Sequence, residues 1–314
     1  MTIANQTNEV ETNNINTVQQ TENNQETHLY TEQISHESTL YAEPIFQIGN
    51  YTVTNSLFTS WIVVFIIIVI SITLKFKIKK IPKGFQNIFE IIIEGAESLC
   101  DQVTNSRAIT NKAFPIVFAI FILVLLNNWM GILPFGGFGL IEMTEHGKAF
   151  IPLIRSGTAD INGTLPLAIM SVLGANLFGI ISIGLWKTIN KYVNLNILGS
   201  IFTKIKKDPM ILMTAPVMFA VGLIELVAEF AKIASLSFRL FGNVFAGEVL
   251  LASMGAILAY ILPTPFMLLE ILVGVIQAFI FAILTLVYYT IASMHEDEEE
   301  HTEPKESARL NEAH

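Results

Sequence analysis

Ser235-Leu236-Ser237-Phe238-Arg239-Leu240-Phe241-Gly242-Asn243-Val244-Phe245-Ala246-Gly247-Glu248 lies deep inside an apolar run, residues 210–262, that holds only a handful of charges and amides. A guanidinium placed in hydrocarbon costs a few kcal/mol even on lenient insertion scales, so Arg239 demands partners and a purpose. The run also sets the architecture. About 50 helical residues reach roughly 75 Å, more than twice the hydrocarbon thickness. Two upright spans would need a turn near Ser235, yet residues 233–248 have no loop composition and no proline falls between Pro216 and Pro263. One continuous, strongly tilted helix is expected instead, with Pro263-Thr264-Pro265 as the turn into a second long helix over 266–294.

Composition agrees with a membrane environment. With 52% apolar and only 14% charged side chains in 314 residues, the ionic surface is too small for an ordinary soluble fold of this size. The formal net charge of −9 belongs to the ends. Residues 1–56 carry seven acids and no Lys or Arg; residues 295–314 carry eight acids against Lys305 and Arg309. The stretch between them is mildly basic, which gives no indication of nucleic acid. The lone Cys100 excludes an internal disulfide and any CxxC metal or redox site, and the six histidines stand outside the apolar runs in no ligand spacing.

Outward from the central run the pattern repeats. Residues 57–74 carry no charge and are followed by Lys75, Lys77, Lys79, Lys80 and Lys83. By the positive-inside rule the N-terminus lies outside and this cluster in the cytoplasm. Residues 113–133 and 164–186 form two further spans, and Lys187, Lys191, Lys204, Lys206 and Lys207 mark the inner side again. Residues 85–104 differ. Phe85, Ile88, Phe89, Ile92, Ala96, Leu99 and Val103 recur at steps of three and four, opposite Glu90, Glu94, Glu97 and Asp101. That is an amphipathic helix at the interface, not a span. Residues 134–163 are polar and glycine-rich; Gly136-Gly137-Phe138-Gly139 lacks the Lys-Ser/Thr of a phosphate loop. The expected fold is an all-α polytopic membrane protein of about five membrane-embedded helices plus one interfacial helix, the last two a long, steeply tilted hairpin. Residues 1–56 are expected as a disordered polar extracytoplasmic tail, 57–294 as the membrane domain and 295–314 as an acidic cytoplasmic tail.

At about 100° per residue, Glu225, Glu229, Lys232, Arg239 and Asn243 fall within an arc of about 80°, while Glu248 points elsewhere; on the returning helix Glu270 and Gln277 share a face. A fixed cation at mid-membrane attracts a mobile carboxylate and denies protons a straight path across. Flanking carboxylates and amides can pass protons to either surface. The plainer alternative is that Arg239 pairs with Glu225, Glu229, Glu248 or Glu270 and staples helices together. Asn243 and Gln277 taken singly are ordinary interhelical amides.

Residues 235–243 with Ala246-Gly247-Glu248, together with Gln277-Ala278-Phe279-Ile280-Phe281-Ala282-Ile283-Leu284-Thr285, resemble the signature of the membrane-embedded a subunit of rotary F-type ATP synthases. Thr158-Ala159-Asp160-Ile161-Asn162-Gly163-Thr164, with Arg155 upstream, is similar to a second motif of that family. The resemblance implies that Arg239 faces a rotating ring of small hairpin proteolipid subunits. It implies that Glu248 and Glu270 line an outer half-channel with Asn243 and Gln277 beside the arginine, and that Ser235 lies near the inner half-channel. It also implies peripheral stalk subunits and, indirectly, a soluble ATPase sector as partners, with membrane lipid around the chain in a bacterial inner membrane. No cofactor, metal or nucleotide site is expected in this chain. Gly157 stands where relatives often have proline, an expected loosening of the outer loop. From other classes, a secondary ion transporter or a structural subunit of a respiratory complex would also bury such charges, although no inverted repeat is visible.

Overall fold

The computed structural model describes residues 41–78, 84–132, 139–144, 147–185, 211–258 and 261–294. The outer part of the expected N-terminal tail (1–40), the C-terminal tail (295–314) and Gly136-Gly137-Phe138 lie outside them. So do Lys79, Lys80, Lys83, Lys187, Lys191, Lys204, Lys206 and Lys207.

Among the described residues there are six helices: α1 Asn55–Lys77, α2 Phe85–Thr104, α3 Arg107–Ile132, α4 Ile161–Ile183, α5 Ile211–Ile257 and α6 Pro263–Met294. Four of them, α1, α3, α4 and α6, are long and apolar enough to cross a membrane. The 47-residue α5 is interrupted by the charges discussed above, yet it is one unbroken helix of about 70 Å. That length cannot stand upright in a hydrocarbon layer of about 30 Å. The continuous tilted helix is therefore what forms, and the two-span alternative does not.

The local chemistry explains several ends. Asp160 caps α4 by accepting from the Asn162 backbone N–H at 3.1 Å. α2 stops where Asn105 turns left-handed at φ 50°. Pro263 is the first residue of α6, where its fixed φ suits the helix and its missing N–H would have had no partner. This corrects the expected turn at Pro263-Thr264-Pro265: those residues start the helix, and the chain reverses before them. Two further corrections concern strands. β1 Pro44–Ile48 pairs antiparallel with β2 Tyr51–Thr54 inside the stretch expected to be a disordered tail, and β3 Gly139–Thr144 pairs with β4 Gly147–Pro152 where only a glycine-rich loop was expected. Both hairpins are short, and neither has the length or clean alternation that makes a strand readable.

The core is built around α6. Ala282, Leu286 and Tyr289 pack with Cys100 of α2, Ala113 and Val117 of α3 and Ala175 of α4. Nearer its start, Ala278 and Phe281 pack with Val124 of α3, Ala168 of α4 and Leu236 and Leu240 of α5. Small residues let these helices approach closely. A Cβ at Gly179 would sit 3.0 Å from the Ala292 carbonyl oxygen, so the α4 and α6 backbones come close there. The periphery is apolar, with Phe65, Ile181 and Phe230 each more than half exposed, as lipid-facing surface requires.

Candidate functional site

The buried edge of α5 runs through Leu236, Leu240, Val244 and Gly247. Steps of four and three from Ser235 give Arg239, Gly242, Ala246 and Val249, and all of these are exposed. Arg239 thus stands on the open flank of the hairpin, next to Phe238 at 59% exposure. Its Nη2 donates to the Ser235 hydroxyl at 3.2 Å, one turn back on the same helix. Among the described residues no carboxylate pairs with it. The stapling alternative is thereby corrected: two of the carboxylates it offered hold other cations, and Arg239 holds none. One turn onward, Asn243 has its side-chain nitrogen buried without an acceptor among the described residues. Such an orphaned donor typically costs about 1–3 kcal/mol.

Glu248 is taken by Arg155. The guanidinium is almost fully buried, at 4% exposure, and its Nε donates to both Glu248 oxygens at 3.0 and 3.1 Å while Nη2 donates to Oε2 at 2.9 Å. Nη1 reaches the Tyr41 carbonyl at 2.8 Å. Arg155 therefore ties the loop before α4 to α5 and to the segment preceding β1. Glu270, on α6, lies across from the same turn of α5. A Cβ at Gly247 would collide with its carboxyl, so the glycine is what admits that side chain. Both acids thus lie beside Gly247, Glu248 as its neighbour in the chain and Glu270 by its carboxyl. Gln277 is half-buried two turns further along α6.

Around Arg155 the polar groups form a continuous cluster. The Ser156 hydroxyl donates to the Asn127 carbonyl at 2.9 Å, Thr158 donates to Asn128 Oδ1 at 2.6 Å, and Asn128 Nδ2 donates to the Gly274 carbonyl on α6 at 3.2 Å. Ser60 donates to Asn127 Oδ1 at 3.2 Å, and Ser56 to Asp160 at 3.4 Å. Gly157 sits at its centre, where any Cβ would strike the Ser60 hydroxyl. The loop is buried and bonded at this point, which corrects the expected loosening at Gly157.

A second group lies toward the other end of α5. Lys232 pairs with Glu229 at 2.8 Å and stands 5.3 Å over the Tyr288 ring, while Asn176 of α4 donates to Glu229 at 3.3 Å. With Val172, Ala175, Ile291 and Ala292 these side chains line a cavity of about 10 Å³, room for about one water. The part played by Asn176 and Tyr288 has no local sequence signal, because each becomes polar surroundings only through packing. The Arg155–Glu248 bond was equally hidden, since its partners are 93 residues apart. Its one hint was that Glu248 leaves the polar stripe of α5.

The sequence matches the family model for the ATP synthase A chain over residues 57–290. Among individual proteins it is similar to ATP synthase subunit a of Moorella thermoacetica, 27% identical over 246 residues that make up 78% of this chain and 93% of that one. It is likewise similar to ATP synthase subunit a of Syntrophobacter fumaroxidans, at 29% over 79% of this chain and 87% of the other. Subunit a of Mycobacterium bovis is 32% identical over 253 residues, 79% of this chain and 89% of that protein.

Proposed function

The chain belongs to the ATP synthase A chain family, and from that premise we propose that it is the stationary proton-channel subunit of a rotary ATP synthase, with Arg239 as the gate between two half-channels. It is a multi-pass membrane protein, placed by this proposal in a bacterial plasma membrane with its N-terminus outside and its C-terminus in the cytoplasm. Its principal partner is a ring of small hairpin proteolipid subunits, each bringing a carboxylate past Arg239. Peripheral stalk subunits hold it still, and the soluble ATPase sector, which carries out the nucleotide chemistry, is an indirect partner.

The observation that carries this reading is the exposed guanidinium of Arg239, which pairs with no carboxylate of its own chain among the described residues. A cation left that way at membrane depth is costly unless a second molecule supplies the anion. Its neighbours on the same stripe, Ser235, Gly242 and Ala246, are small and let a partner helix approach. One turn from Arg239, the Asn243 side-chain nitrogen is buried without an acceptor among the described residues. Glu248, Glu270, Asn243 and Gln277 form the outer path and relay, and Ser235 lies by the inner one, with the Glu229–Lys232 cavity beyond it. Protons enter from outside and neutralise a ring carboxylate, which then turns into lipid. They leave inward after most of a revolution, driven by about 2.3 kcal/mol per charge per 100 mV.

Arg239→Ala tests it directly. In vesicles holding the assembled complex, the substitution is expected to abolish ATP synthesis driven by a proton gradient while leaving subunit assembly intact. Vesicles that still couple proton flow to ATP synthesis would show that Arg239 is no gate.

A further inference from the structure

Two carboxylic acids flank Gly247, and their surroundings are unlike. Both oxygens of Glu248 accept hydrogen bonds from the fork of Arg155, and Arg155 is itself fixed by its fourth contact, to the Tyr41 carbonyl, and by its own backbone N–H on the Thr59 hydroxyl at 3.2 Å. A proton arriving on Glu248 would have to displace that fork. Glu270, by contrast, is half-buried and takes part in no ion pair among the described residues; its carboxyl lies against the Gly247 backbone. Arg155 is the cation on Glu248, reaching it from the loop before α4, while the Glu270 carboxyl lies against Gly247, the residue next to Glu248 in α5.

We propose that Arg155 is a positioning residue that commits Glu248 to a fixed ion pair, leaving Glu270 as the carboxyl that takes up and hands on the proton in the outer path. Glu248 then contributes a stationary negative charge, and Arg155 anchors it. The assignment rests on the channel reading above. The segment around Tyr41 takes part as well: its carbonyl holds the far side of the Arg155 guanidinium, so the chain before β1 helps aim the pair.

The test uses the assembled complex in vesicles, with assembly measured alongside proton-driven ATP synthesis. Glu270→Gln should lose about a hundredfold or more, the scale of a missing proton-transfer group. Glu248→Gln strands the buried Arg155 guanidinium, so its cost should fall chiefly on assembly; per assembled complex it should lose at least about tenfold less than Glu270→Gln. Arg155→Gln alone should lose more than the double variant Arg155→Gln/Glu248→Gln, in which no charge is left unpaired. An imidazole titrates about two units above a glutamate, so Glu270→His should move the dependence on outer pH, whereas the double variant should keep the parental profile. The proposal is overturned if Glu248→Gln falls as far as Glu270→Gln, or if the double variant assembles and is as inactive as Arg155→Gln. Should the double variant not assemble, the contrast between Glu248→Gln and Glu270→Gln and the pH profile of Glu270→His decide alone. If Arg239→Ala also leaves synthesis intact, the channel reading has failed and not merely this assignment.

Discussion

Among the described residues, Glu229 meets Lys232, Glu248 meets Arg155, and Arg239 meets a hydroxyl of its own helix but no carboxylate. This difference among membrane-depth charges is the residue-scale basis of the whole account. Arg239 itself was plain from the sequence, because a guanidinium in an apolar run has few explanations. Its lack of a carboxylate partner was not plain, since four carboxylates stood within plausible reach until packing distributed them. Gly157 shows the same limit. Its need for a glycine arises from Ser60 and Asn127, which chain order sets far away. Gly157→Ala should therefore destabilise the cluster at the start of α4, by about 1–3 kcal/mol as overpacking commonly does. A lowered thermal midpoint of the purified complex would be the expected outcome, and an unchanged midpoint would mean that the loop has slack.

Elements were legible where periodicity was long. α2 forms over residues 85–104 as its three-and-four spacing predicts, and α5 is continuous because nothing between Pro216 and Pro263 stops it. The short hairpins and the helical start at Pro263 escaped, since four strands of four to six residues and a proline carry ambiguous signals. The join between α2 and α3 makes its own prediction. Arg107 bonds Asp101 and pairs with Glu97 at 2.9 Å. The Thr110 hydroxyl holds the Asp101 carboxyl below its ordinary value; desolvation works against that, and Arg107 adds to the lowering. A carboxyl lowered on folding stabilises the fold above its unfolded value, about 4, and that contribution is lost as pH falls through the folded value. Hydrogen exchange in the last turn of α2, corrected for the intrinsic effect of pH, should accordingly quicken from pH ~6 to pH ~3. Constant protection across that range would remove this clamp from the account.

At the scale of the molecule, one flank of the α5–α6 hairpin has no partner among the described residues. Ser235, Arg239, Gly242, Ala246 and Val249 all open onto that side, and the interior cores lie on the other. A Cβ at Gly242 meets nothing within 4 Å, so a cysteine fits there. The chain's single natural thiol, Cys100, is buried and can be replaced by serine in the background. The decisive measurement is disulfide formation between Gly242→Cys and a cysteine placed one turn from the mid-membrane carboxylate of the ring proteolipid. Such a bond requires Cα atoms within about 7 Å. The account predicts rapid cross-linking that stops ATP-driven proton pumping and is reversed by reductant. An efficiently assembled complex that forms no such bond, or keeps pumping with the bond in place, would contradict the claim that Arg239 faces a moving ring.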